Sequence, residues 1–143
     1  MRFRKWLESI SPIHQRLMQL RPLMLKAAQE VYDNWDQSDE FDDYAGGGIC
    51  QDIAEAISDV VNQNFPGNFD VGTVSSVCGE QHVWCVMKVG NEGFNIDVPY
   101  NTYETGAGYN WQKIQGVKFT PNDITIDPIA GSEAEEMLNY EGY

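Results

Sequence analysis

Apolar residues between 13 and 35 recur every three or four positions: Ile13, Leu17, Leu20, Met24, Ala28, Val31 and Trp35. That period lines one face of an α-helix. Ser11-Pro12 suits its start, with Ser11 as cap and Pro12 in the first turn. Pro22 interrupts the pattern, so either the helix kinks there or two short helices meet and Pro22 opens the second. A further helical set, Ile53, Ala54, Ile57, Val60 and Val61, runs through 51–64 and stops at Asn64-Phe65-Pro66-Gly67-Asn68.

Beyond that turn the pattern changes to the two-residue period of strands. Positions 71–78 are rich in β-branched residues. Positions 81–89 alternate, with Val83, Cys85, Met87 and Val89 on one face and His82, Trp84, Val86 and Lys88 on the other. Gly90-Asn91-Glu92-Gly93 signals a hairpin, and 94–98 returns as a strand with Phe94, Ile96 and Val98 on one face. The Gly-rich, aromatic stretch 99–116 reads as a long loop, 117–120 and 124–126 as short late strands, and 131–143 as an acidic tail that frays. The order predicts an α+β fold, with N-terminal helices packed on an antiparallel sheet. A chain of 143 residues fits one domain over 1–143, with 1–12 and 131–143 as flexible ends.

Charge narrows the partners. Twenty-two acidic residues face nine basic ones, a formal net charge of −13. Direct nucleic-acid binding is disfavoured, because phosphates need clustered Lys and Arg. A basic partner, or mimicry of an acidic polymer, is the sharper meaning of the charge, and solubility the plainer one. No apolar run approaches the ~20 residues that span a bilayer. Arg2, Arg4 and Lys5 are not followed by an apolar signal-peptide core, so a cytoplasmic location is expected, with signal-less export left open. The acidic connection 33–43 lacks calcium-loop spacing. Three cysteines, Cys50, Cys78 and Cys85, argue for reduced thiols rather than a disulfide framework.

One of those thiols stands apart. Cys50 follows Gly46-Gly47-Gly48-Ile49 and opens the second helical pattern. A helix N-terminus favours thiolate, and flanking glycines leave room and backbone N–H groups for a developing oxyanion. His82 enters a strand, whereas His14 lies in the first helix with no partner in view. Positions 82 and 97 have opposite parity, which in a hairpin with an even loop puts His82 and Asp97 on the same face. A loop centred on Val89-Gly90 sets them directly opposite, and one centred on Asn91-Glu92 slides them four residues apart. A carboxylate on the far imidazole nitrogen would fix the tautomer and steady the imidazolium. Cysteine, histidine and aspartate in this order match nucleophile, base and orienter.

Gly48-Ile49-Cys50-Gln51-Asp52-Ile53-Ala54 resembles the helix-start cysteine segment of transglutaminase-like proteins. Gln81-His82-Val83-Trp84 resembles their His-x-Trp strand, and Ile96-Asp97-Val98-Pro99 their Asp-Pro segment. The wider papain-like superfamily, NlpC-type peptidases included, shares the chain order. The likeness covers about residues 44–100. It implies a papain-like core and a cysteine hydrolase or acyltransferase without a cofactor, acting on an amide or ester of a protein or peptide-like substrate through Cys50, His82 and Asp97. Two departures stand out. Val98 separates Asp97 from Pro99, which keeps Asp127 of Asp127-Pro128 as an alternative third member. Tyr44 stands where papain-type enzymes carry an oxyanion glutamine, which leaves Gln81, Trp35 and Tyr44 as candidate donors.

The same residues have competing uses. Zinc could be drawn from Cys50, Cys78, His82 and Cys85, but a strand sends His82 and Cys85 to opposite faces, so no metal is expected. Trp84 shares the face of His82 and is the aromatic best suited to substrate, ahead of Tyr100, Tyr103, Tyr109 and Trp111, which equally suit packing under a loop. The alternative to an enzyme is a small acidic binding or inhibitor protein on the same fold.

Overall fold

The computed structural model describes residues 11–36, 49–75, 82–105 and 112–140. The first helical stretch is two helices, α1 (Pro12–Gln19) and α2 (Arg21–Asn34). Ser11 caps α1 by accepting the His14 N–H at 3.0 Å. Pro22, which has no N–H to give, falls in the first turn of α2, so two helices meeting at Leu20 is the arrangement adopted. Helix α3 (Cys50–Asn64) buries Cys50, Ile53, Ala54, Ile57, Ser58 and Val61 along one face.

An antiparallel sheet follows, ordered β1-β2-β3-β6, from β1 (Asp70–Ser75), β2 (Val83–Val89), β3 (Glu92–Asp97) and β6 (Thr125–Ala130). The late strand is longer than expected and includes Pro128. Proline is tolerated there because β6 is an edge. The architecture is α+β, as the pattern of periods predicted. One face of the sheet, with Cys85, Met87, Phe94 and Ile96, joins Leu17 of α1, Met24, Ala28 and Tyr32 of α2, and Ile53 and Ile57 of α3 in the main core.

The other face is covered by an element the sequence reading missed. Residues 131–138 are not a fraying tail but a helix, α4 (Gly131–Leu138). Ala134 packs with Val74 and Val86, and Trp84, Ile129, Met137 and Leu138 close over them. Acidity at 133, 135 and 136 hid the spacing of Ala134, Met137 and Leu138, which is that of a helix face. The close fit explains two glycines. A Cβ on Gly93 would lie 2.6 Å from the Ala134 Cβ, and one on Gly131 would lie 2.6 Å from the Asn91 backbone. The Gly131 N–H donates to the Asn91 carbonyl at 2.9 Å, so α4 starts against the β2–β3 turn.

The stretch 99–116 is more ordered than a plain loop where it is described. It holds a 3-10 turn (Tyr100–Thr102) and a small ribbon of β4 (Glu104–Thr105) with β5 (Gln112–Lys113). Residues 117–120 are not a strand. Their backbone groups bond to side chains of α2 instead: Gln29 accepts the Phe119 N–H at 2.9 Å and donates to the Val117 carbonyl at 3.1 Å, and the Tyr32 hydroxyl accepts the Val117 N–H at 3.0 Å. No described helix is long and apolar enough to cross a membrane.

Candidate functional site

The β2–β3 register decides whether His82 and Asp97 meet. Val89 pairs with Glu92 and Cys85 with Ile96, so the turn is Gly90-Asn91, and Gly90 takes φ 58°. This lies midway between the two alternatives weighed from sequence. Continued one step, the ladder sets Trp84 opposite Asp97 and leaves His82 on the diagonal, two residues farther along. Diagonal neighbours on one face are within reach of long or aromatic side chains. The His82 Nε2 indeed lies 2.7 Å from the Asp97 Oδ2. The side chains are 13% and 21% exposed, so the bond is largely sheltered.

Two rings hold the imidazole from its flanks. Trp84 stacks on it, with centroids 6.0 Å apart and planes 20° from parallel, and Tyr100 meets it at 5.4 Å and 58°. The Trp84 Nε1 donates to Asn95 Oδ1 at 2.9 Å, so this indole is itself fixed. It stands beside His82 in a fixed orientation.

Cys50 is the first residue of α3, buried at 8% exposure, and its thiol is close enough to the His82 ring to act on the imidazole's pKa. Asp97 takes Nε2, which leaves Nδ1 as the nitrogen on the other side of the ring. Burial is the largest single influence on His82 and pulls its pKa down. The hydrogen bonds to Asp97 and Cys50 and the charges of both outweigh it and lift the pKa from 6.5 to about 9. His82 therefore carries its proton at neutral pH.

That shift makes a stability prediction. A raised histidine pKa stabilises the fold fully below about 6.5, the unfolded value, and the contribution is lost as pH rises through about 9. With solvent screening allowed for, we expect wild type to lose about 1–2 kcal/mol relative to His82→Gln between these limits. Urea unfolding of both proteins at pH 6 and pH 9.5 measures the difference. Parallel stabilities at the two pH values would contradict the strength of the pair.

Other sequence candidates fall differently. Asp127 pairs with Asn95 across β3 and β6, two residues along from the Asp97–Thr125 pair, and is exposed. Tyr44, Gln81, Cys78, Tyr109 and Trp111 lie outside the described residues, as do the glycines 46–48. Cys85 is buried in the main core, and burial, followed by the charge of Asp97, pushes its thiol up to about 12, as befits an inert packing residue. His14 has a neighbour after all: its ring packs on Phe94 at 5.5 Å. Trp35 is buried, and its Nε1 has no partner among the described residues. It borders a groove of about 430 Å³ that also takes in Ile49, Asp52, Glu55 and Asp59.

Two residues escaped the sequence reading of the site. Tyr103, expected only as one of several loop aromatics, is fully buried. Burial first, then Cys50, Glu104 and Asp97, hold its hydroxyl protonated far above the ordinary tyrosine range. Glu104, next to it, is 2% exposed and accepts the Ile49 N–H. A lone glutamate in a polar stretch gives no sign of burial, because strands of two residues leave no periodic trace.

Compared with known proteins, the chain matches no family model, no curated protein and no solved structure. The papain-like and transglutaminase-like resemblance therefore rests on the sequence motifs around Cys50, His82 and Asp97 alone.

Proposed function

We propose that this protein is a cysteine-dependent hydrolase or acyltransferase with a papain-like or transglutaminase-like core. The observation that carries the reading is one imidazole shared between a helix-start thiol and a carboxylate: His82 bonds Asp97 at 2.7 Å and partners Cys50. The Cys50 thiolate attacks an amide or ester carbonyl and forms a C–S bond. The tetrahedral oxyanion collapses, and His82 gives its proton to the departing amine or alcohol. Water or an amine then attacks the thioester, yields its proton to His82 and releases the thiolate. The Cys50 backbone N–H and the Trp35 indole N–H are candidate donors to the oxyanion. The carboxylates along the groove beside Ile49 favour a cationic or neutral protein or peptide-like substrate.

The net charge of −13 supports a second reading, a binding protein for a basic partner without catalysis. Iodoacetamide separates the two. At pH 7 Cys50 should be alkylated roughly tenfold faster in wild type than in His82→Ala, as mass spectrometry of the labelled peptide would record. Equal rates in the two proteins, or labelling that requires unfolding, would leave the binding reading in place of the enzyme.

A further inference from the structure

Glu104 is a buried acid that the chemistry above does not use. It lies in β4, opposite Lys113 of β5, yet the Lys113 ammonium is held elsewhere, by the Trp35 carbonyl at 2.9 Å and over the Tyr32 ring at 4.3 Å. Its carboxylate accepts the N–H of Ile49, the residue directly before Cys50. Its Oε2 is buried with no hydrogen-bond partner among the described residues. A carboxylate kept inside a core with half its acceptor capacity unused is costly, and such groups call for a functional explanation.

We propose that Glu104 is a positioning residue of the cysteine site, tethering the start of α3 through Ile49 and keeping a second negative charge within electrostatic reach of His82. The inference rests on the cysteine-site reading. Ile49 precedes α3 and makes no side-chain cap for it, and the Glu104 carboxylate holds that residue's own N–H, as the acid of a capping box does. Holding Ile49 fixes where the Cys50 sulfur emerges. The attraction between Glu104 and His82 favours the imidazolium. The Tyr103 hydroxyl beside it feels Glu104 together with Cys50 from α3 and Asp97 from β3. Burial, opposed by His82 and by the Ile49 N–H, lifts the Glu104 carboxyl to about 7, so its charge changes within the range in which the site would work.

The test is the pH profile of Cys50 alkylation by iodoacetamide in wild type, Glu104→Gln and Glu104→Ala. Glutamine keeps an acceptor for Ile49 and removes only the charge. Wild type should show a rise centred near pH 7 that Glu104→Gln lacks, with the Gln variant at least threefold slower at pH 8 and Glu104→Ala slower still. Superimposable wild-type and Gln profiles, with His82→Ala still slow, would overturn the role of Glu104 and leave the cysteine site standing. Alkylation that His82→Ala does not slow would overturn both. A measurement on the unmutated chain guards against variants that fail to fold. With 13C-labelled glutamate carboxyls, one signal should titrate near pH 7, well above the ordinary glutamate value of about 4. If every glutamate signal titrates in the ordinary range, the proposal fails.

Discussion

Turnover of an activated ester such as p-nitrophenyl acetate should fall about 10²–10⁴-fold when His82 is replaced by alanine, and the initial burst should vanish in Cys50→Ala. The size follows from what His82 does in the proposed cycle. It holds the proton taken from the sulfur, and it later removes one from the attacking water. An activated leaving group needs little protonation, so the loss with this ester should sit at the low end of the range. An amide should lie at the high end and show a further feature: cleavage declines as pH rises through about 9, where the imidazolium gives up its proton. Asp97→Asn should cost less than His82→Ala, since the amide still meets Nε2 but no longer carries the charge that steadies the imidazolium. Stopped-flow release of p-nitrophenolate reads both burst and steady state. A Cys50→Ala variant that retains the wild-type rate would remove the enzyme reading altogether.

The second large effect is on stability. Phe94→Ala should destabilise the protein by about 3–5 kcal/mol, a large share of the ~5–15 kcal/mol that holds a domain together. Phe94 is 1% exposed, pairs with Met87 on one side and Pro128 on the other, and packs against the tilted His14 ring of α1. Truncation leaves a cavity that backbone hydrogen bonds on both edges of β3 keep from collapsing. The midpoint of urea unfolding at constant slope provides the measure. A loss below about 1 kcal/mol would mean that the sheet and the N-terminal helices do not share one packed core. Because Asp97 lies three residues along the same strand, the variant should also loosen the His82 pair.

Much of this frame was legible in the amino-acid pattern, and the reasons are specific. Ile53, Ala54, Ile57 and Val61 are apolar at helical spacing because a single face of α3 is buried, so their period survives in the sequence. The alternation from Val83 to Val89 survives for the same reason, although Val86 is buried too, under α4. Cys50, His82 and Asp97 could be placed in order by local signals. Whether the last two touched could not, because contact turned on a turn position that Gly90-Asn91-Glu92-Gly93 leaves open by two residues. Helix α4 was obscured by its solvent-facing glutamates. Glu104 was invisible because its burial depends on chain segments distant in sequence, Ile49 and Lys113, and on no local pattern.

The clasp between Gly131 and the Asn91 carbonyl has a consequence for how this chain tolerates insertions. The β2–β3 turn acts as a length gauge for the far end of the hairpin. One extra residue in it would rotate Asp97 to the opposite side of the sheet, and two would slide it past the imidazole. With α4 seated on the turn and no room there for even a methyl group, such slippage meets a hard stop. The residue pair at one end of the sheet is thus kept in step by a helix anchored at the other.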